Sequence, residues 1–286
     1  MIILFLSVCC GEENTATEPS DTSDDTASDS TVGSDSATDA GPQTVCGALF
    51  GSPNEQTGLD ASQCQPSCDC GEGMFTPSQL TEAELDRLSA MELLNPLPPL
   101  TVDPYETPAA YVETPDKVCG LSMDVENTNA YRLETYDTAD AASSAGAVIT
   151  HYGACGLCSS LADLAVYMRY PDLTTPVRQC GIEGIAGGED ANMSCLLALG
   201  FSENCAQIWY YNTLNTRTLC LDVCAAALNA PYHMENGNIN ECLQCDEDNS
   251  GPVFKTVSGR TRRNSGLPTA ICRPCETVSF VNHNYF

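Results

Sequence analysis

His151–Met168, HYGACGLCSSLADLAVYM, is the stretch on which the fold turns. Gly153 marks a turn, Cys155 and Cys158 stand at C-x-x-C spacing, and Leu161, Leu164, Ala165 and Met168 follow at helical spacing. A cysteine pair at the start of an apolar helix suits three chemistries. One is a thiol nucleophile whose pKa the helix N-terminus depresses. The second is half of a four-thiolate zinc site. The third is a pair of disulfide anchors. The rest of the chain decides among them.

The chain has 18 cysteines in 286 residues. With Cys9 and Cys10 set aside, Cys46, Cys64, Cys68 and Cys70 lie early and twelve more run from Cys119 to Cys275. Even counts in both blocks predict a disulfide framework in an oxidising compartment, with its connectivity open. Cys242/Cys245 and Cys272/Cys275 repeat the C-x-x-C spacing. In a cytosolic protein two such pairs would favour zinc, but here the parity and the export-like N-terminus favour bridges.

That N-terminus is an apolar run, Met1–Val8, followed by Cys9 and Cys10. It lacks the basic residues and longer apolar core of a full secretory signal, so a truncated start is expected. Leu6-Ser7-Val8-Cys9 resembles the end of a bacterial lipoprotein signal, in which a short lipobox leads into an acylated cysteine. The resemblance implies lipidation at Cys9, or at Cys10 ahead of Gly11, and anchoring at the outer-membrane surface or in the periplasm. Residues 11–45 hold thirteen Ser or Thr, nine Asp or Glu, and no Lys, Arg or aromatic residue. So little apolar surface cannot offset the entropy of ordering, which predicts a disordered acidic tether with a reach of roughly 30–35 Å. Its charge opposes docking to anionic headgroups, leaving the lipid as the expected membrane contact. Removing the tether's nine carboxylates from the net −28 still leaves −19, which disfavours nucleic acid as a partner.

Four further segments follow from composition. Residues 46–77 form a small Cys-rich module, expected to be stapled by its own four cysteines because it has few apolar residues. Residues 78–116 combine a helix and a connector. The helix starts at a Thr81-x-x-Glu84 capping box, and six prolines from Asn95 to Asp116 impose an extended path after it. Residues 117–286 form the main Cys-rich domain. AYRLETY and AVITH are predicted strands, and helices are predicted over 158–169, from Thr175 toward Cys180, and over 189–199 ahead of Gly200. Two more are expected behind the caps Ser202 and Thr216, with loop and strand-like chain from Pro231. The expected fold class is α+β, mainly α in the core: a disulfide-rich helical domain with short strands and an irregular C-terminal section.

Three constellations carry chemistry. YGACGLCSSLADL resembles the papain-like cysteine protease segment in which G-x-C-G-x-C runs straight into a helix. The resemblance implies Cys158 as nucleophile and Cys155 as a structural disulfide partner, and VSFVNHNYF would supply His283 as base. Tyr152 stands in place of that family's glutamine and Ser159 in place of an aromatic residue, and only three residues follow His283. Two bridged cysteines are therefore the preferred expectation. Asp246, Asp248 and Ser250, with Gly251, match the first half of a calcium loop, although the twelfth position is Val257. Finally, Lys255, Arg260, Arg262, Arg263 and Arg273 place five of the chain's eleven cations within nineteen positions. Their partners are either the protein's own carboxylates, Asp246, Glu247 and Asp248 among them, or a bound anion held by Arg260, Arg262, Arg263 and Arg273. The expected protein is a lipid-anchored binding or structural protein of the cell surface or periplasm, with calcium as its candidate cofactor and an unknown protein, glycan or small anionic ligand as partner. The alternative is a cysteine hydrolase using Cys158 and His283.

Overall fold

The computed structural model describes residues 49–69 and 74–286, all within one compact unit. Cys9, Cys10, Cys46, Cys70 and the acidic tether lie outside the described residues. Among those described, no helix is long and apolar enough to cross a membrane. The fold is α+β and rich in disulfides. Strands β1 (Leu49–Phe50), β2 (Cys68–Asp69) and β3 (Met74–Phe75) precede helix α1 (Glu82–Ser89) and strand β4 (Glu92–Leu93). Strands β5 (Val118–Met123) and β6 (Ala130–Tyr136), helix α2 (Ala139–Ser144) and strand β7 (Val148–Tyr152) come next. Then helices dominate: α3 (Leu161–Arg169), α4 (Thr174–Ala198), α5 (Glu203–Ala226), α6 (Glu241–Asn249), α7 (Gly251–Ser258) and α8 (Arg262–Ser265). The last strand is β8 (Arg273–Pro274).

The sheet has the order β4-β6-β5-β7, antiparallel except where β4 runs parallel to β6. Helix α1 starts as its sequence predicts: Glu84 Oε2 accepts the Thr81 N–H at 2.7 Å, while the Thr81 side chain accepts the Glu84 N–H. It buries Leu85 and Leu88 in a core shared with Leu161 and Leu164 of α3. Burying each such leucine contributes about 1.5–3 kcal/mol. The proline connector is extended, broken by two short 3-10 turns, and it clamps α5. The Gln207 side chain exchanges hydrogen bonds with the Leu100 backbone, and Asn204 Nδ2 donates to the Leu97 carbonyl at 2.7 Å.

The C-terminal half is more regular than its sequence suggests. Thr216 is no cap: with no glycine or proline between Glu203 and Ala226, α5 runs unbroken from its Ser202 cap for 24 residues. Beyond Pro231 the chain forms α6, α7 and α8 before becoming irregular. The α6 cap is Asn240, whose side chain accepts the Leu243 N–H at 3.0 Å. Helix α4 is two helices joined at Gly188, whose φ of 71° and ψ of −161° are open to glycine but strained for other residues. Cys180 and Cys195 bridge its two halves.

Among the described residues fourteen cysteines form seven bridges: Cys64–Cys272, Cys68–Cys275, Cys119–Cys155, Cys158–Cys205, Cys180–Cys195, Cys220–Cys245 and Cys224–Cys242. Each C-x-x-C pair sends its two sulfurs to two different partners. Of the early module's cysteines, the two described, Cys64 and Cys68, do not bridge within it as the expected self-stapling would have them do. Cys64 and Cys68 tie it to the C-terminal segment, where β1 also pairs with β8. With so few apolar residues of its own, it is held by the far end of the chain.

Candidate functional site

The first half of α4 and helices α5, α6 and α7 lean together without filling the space between them. They leave a cavity of about 600 Å³, whose lining also includes Phe50, Leu267 and Ile271. Such a volume lies within the range of small-molecule sites. Leu173 and Val177 on α4, Leu243 on α6 and Phe254 on α7 make its walls apolar. Ile182 and Ile185 of α4 and Leu221 of α5, with Leu228 beyond its end, line it while remaining 46–63 % exposed. The Cys224–Cys242 bridge forms part of the wall and fixes the spacing of α5 and α6.

Trp209, the chain's only tryptophan, lines this space. Its ring lies 4.5 Å from that of Phe254 and 6.0 Å from that of Phe201. The indole N–H and the hydroxyl of neighbouring Tyr167 are both buried without a hydrogen-bond partner among the described residues. Burial holds the Tyr167 hydroxyl far above the usual phenol range.

Two carboxyls from α6 give the cavity a polar wall. Asp246 accepts from Asn212 Nδ2 at 3.2 Å and from the Thr216 hydroxyl, while Tyr105 donates to Asn212 Oδ1 at 2.9 Å. Burial, with a smaller contribution from Glu247, pushes the Asp246 carboxyl upward. Glu247 behaves oppositely. Burial opposes its charge, but Arg273, Arg263 and Lys255 together outweigh that and hold it below the usual range. Arg273 Nη2 lies 2.7 Å from Glu247 Oε1, and Arg263 Nη2 and Lys255 Nζ lie 2.8 and 3.6 Å from Oε2. The arrangement suits binding: an apolar body fits the walls, and a charged or acceptor group fits the α6–α7 end.

The calcium loop expected at Asp246, Asp248 and Ser250 is instead helix. Asp246 and Asp248 sit two residues apart on α6, about 200° around its axis, so their carboxylates diverge. Asp248 is exposed and accepts from Gln244 at 2.8 Å, whereas Ser250 is buried at the junction with α7. Among the described residues no group of three or more His, Cys, Asp or Glu is placed to hold a metal ion.

The four arginines expected to share one anion site divide. Arg263 and Arg273 meet at Glu247. Arg262 lines the cavity but spends its guanidinium on the carbonyls of Tyr167, Pro268 and Tyr170, and burial lowers it to about 10. Arg260 is fully buried elsewhere. It donates to the carbonyls of Cys158, Ser159 and Thr150 at 3.2, 3.0 and 3.0 Å and to Thr150 Oγ1 at 2.7 Å.

The Cys158 and Ser159 carbonyls belong to the stretch that resembles a protease. Cys158 is buried and bonded to Cys205, with Sγ–Sγ 1.98 Å, so this sulfur supplies no nucleophile. His283 is equally committed: Nε2–H donates to the Ser265 carbonyl and Nδ1 accepts from the Tyr285 hydroxyl, both at 2.8 Å. Backbone pairing explains the remaining residues. Leu157 and Cys158 donate to the carbonyls of Val257 and Ser258. A Cβ on Gly156 would stand 2.4 Å from the Gly259 nitrogen, so the two chains approach as closely as glycine alone allows. The cavity, by contrast, was missed by sequence reasoning. Its lining runs from Phe50 to Arg273, and the only hint was the basic cluster that ends up in one wall.

A family model described as a family of unknown function (DUF8771) matches residues 189–281, about a third of the chain. The matched segment contains α5 to α8, and hence Trp209, Glu247 and the cations around it, but not the first half of α4. No curated protein and no solved structure matches the chain.

Proposed function

We propose that the protein is a lipid-anchored extracytoplasmic binding protein that takes a mainly apolar small molecule into the cavity between α4 and α7. The observation that carries the reading is the cavity itself, about 600 Å³, apolar in its walls and rimmed by exposed isoleucine and leucine. Seven disulfides support an oxidising compartment. The lipobox-like Leu6–Cys9 and the acidic run behind it support an anchor and spacer.

The single tryptophan makes the reading testable without labels. N-phenyl-1-naphthylamine, a neutral apolar fluorophore, is expected to bind saturably and to receive energy from Trp209. Ala225→Phe at the cavity's mouth is expected to weaken its binding at least several-fold. Failure of the dye to saturate, or energy transfer indifferent to Ala225→Phe, would refute the site. For the anchor, replacing both Cys9 and Cys10 by serine is expected to move the protein out of the membrane fraction. Continued membrane retention of that variant would refute it.

A further inference from the structure

We propose that the ligand is an anionic amphiphile, a single apolar chain ending in a carboxylate, with its head held by Lys255, Arg263 and Arg273. This rests on the cavity being a binding site and specifies what it takes. The first observation is where the positive charge lies. The chain has 39 acidic residues against 11 Lys and Arg. Six of those eleven cations (Arg178, Arg217, Lys255, Arg262, Arg263 and Arg273) nevertheless line this one cavity, beside only Asp172, Asp246 and Glu247. A basic concavity in an acidic protein concentrates anions and repels cations.

The second observation is an imbalance at the α6–α7 end. Three cations lie within 3.6 Å of one carboxylate, Glu247, and the only other carboxylate paired with any of them among the described residues is Glu113, so three positive charges meet two ion-paired carboxylates. Lys255 is the loosest of the three, standing 3.9 Å from Glu113 as well. Planar guanidinium forks match a carboxylate in bidentate geometry. Arg178 and Arg217, half-buried on α4 and α5, have no carboxylate within 4 Å among the described residues, which adds further uncompensated charge. The third observation is the remaining wall. A sugar or nucleotide would leave hydroxyls unpaired against Leu173, Val177, Leu221 and Phe254, whereas an alkyl chain leaves nothing unpaired.

The test titrates the full-length oxidised protein at low salt, below micelle-forming concentrations, and follows Trp209 emission. Dodecanoate, dodecanol and dodecyltrimethylammonium share a chain length and differ in head charge. Dodecanoate is expected to bind about tenfold or more tightly than dodecanol, the ammonium weakest, with the advantage shrinking as salt is added. Lys255→Gln and Arg263→Gln are each expected to erase most of the dodecanoate advantage while leaving dodecanol affinity in place. Equal affinity for dodecanoate and dodecanol would overturn the head-group assignment and leave the cavity reading standing. Failure of all three amphiphiles and of the neutral dye would overturn both. A dodecanoate preference that survives in both variants would overturn the seating at these residues.

Discussion

At the scale of single residues, the least legible feature is a buried relay that takes in two groups the sequence assigned elsewhere, Arg260 and His283. Arg260 can only donate, and it donates to Thr150 Oγ1. The Thr150 hydroxyl lies 2.9 Å from that of Tyr285, which in turn lies 2.8 Å from His283 Nδ1. His283 Nε2–H ends the chain on the Ser265 carbonyl, which can only accept. Burial and the nearby Arg260 guanidinium favour the neutral imidazole, with its proton on Nε2. Nothing in SGRTRRNSG separates Arg260 from Arg262 or Arg263, because what differs is the backbone each meets after folding. Burial, then the Arg260 charge, holds His283 down to about 3 from its ordinary 6.5, and burial likewise lowers His151 well below that value. A histidine depressed in the fold contributes stability that is complete above pH 6.5 and fades as pH falls toward 3. Burial raises the Asp163 and Asp246 carboxyls, which acts in the opposite direction and offsets part of that loss. His283→Gln keeps one donor and one acceptor but cannot titrate. Measured by denaturant unfolding at pH 7 and pH 4, the variant is expected to lose less stability on acidification by on the order of 2–3 kcal/mol. An unchanged pH dependence would mean that His283 carries no such shift.

At the scale of elements, local signals succeeded where they act locally and failed where a distant partner redefines them. The capping box at Thr81, the strand AYRLETY and the cap at Ser202 lie where the sequence predicts, because each depends on residues within a few positions. Thr216 carries the same local signature as Ser202 but lies mid-helix. Its hydroxyl contacts Asp246 and Ser250 across the α5–α6 contact, partners 30 and 34 residues away that no cap rule contains. The calcium motif failed for a related reason. DEDNSG has the composition of an oxygen-rich turn, but the Asn240 cap and the two bridges to α5 draw Asp246 and Asp248 into α6. Folding α4 back on itself at Gly188, with its halves tied by the Cys180–Cys195 bridge, sets one wall of the cavity. Its two halves were foreseen; their antiparallel return was not, because no local pattern states which faces will meet.

At the scale of the whole molecule, cysteine parity made the framework and compartment legible but left the wiring closed, and the wiring determines how stability is shared. The bridges Cys64–Cys272 and Cys68–Cys275 each close a loop of more than two hundred residues. They lie four residues apart at one end and three at the other. Once either has formed, the second constrains only that short ring, so most of the loop-closure entropy is removed by whichever closes first. Cys220–Cys245 and Cys224–Cys242 between α5 and α6 likewise lie close together at both ends, although they are nested where the long pair crosses. Single removals are therefore expected to understate the framework. Replacing Cys64 and Cys272 together by serine, or Cys68 and Cys275 together, is expected to cost about 1–2 kcal/mol each. Removing both bridges is expected to cost more than about 4 kcal/mol, because the long loop is then released. A double-mutant cycle by urea unfolding measures the difference directly. Additive losses would mean that the two bridges act on separate loops in the unfolded chain, and the picture of one double staple joining the early module to the C-terminal segment would fail.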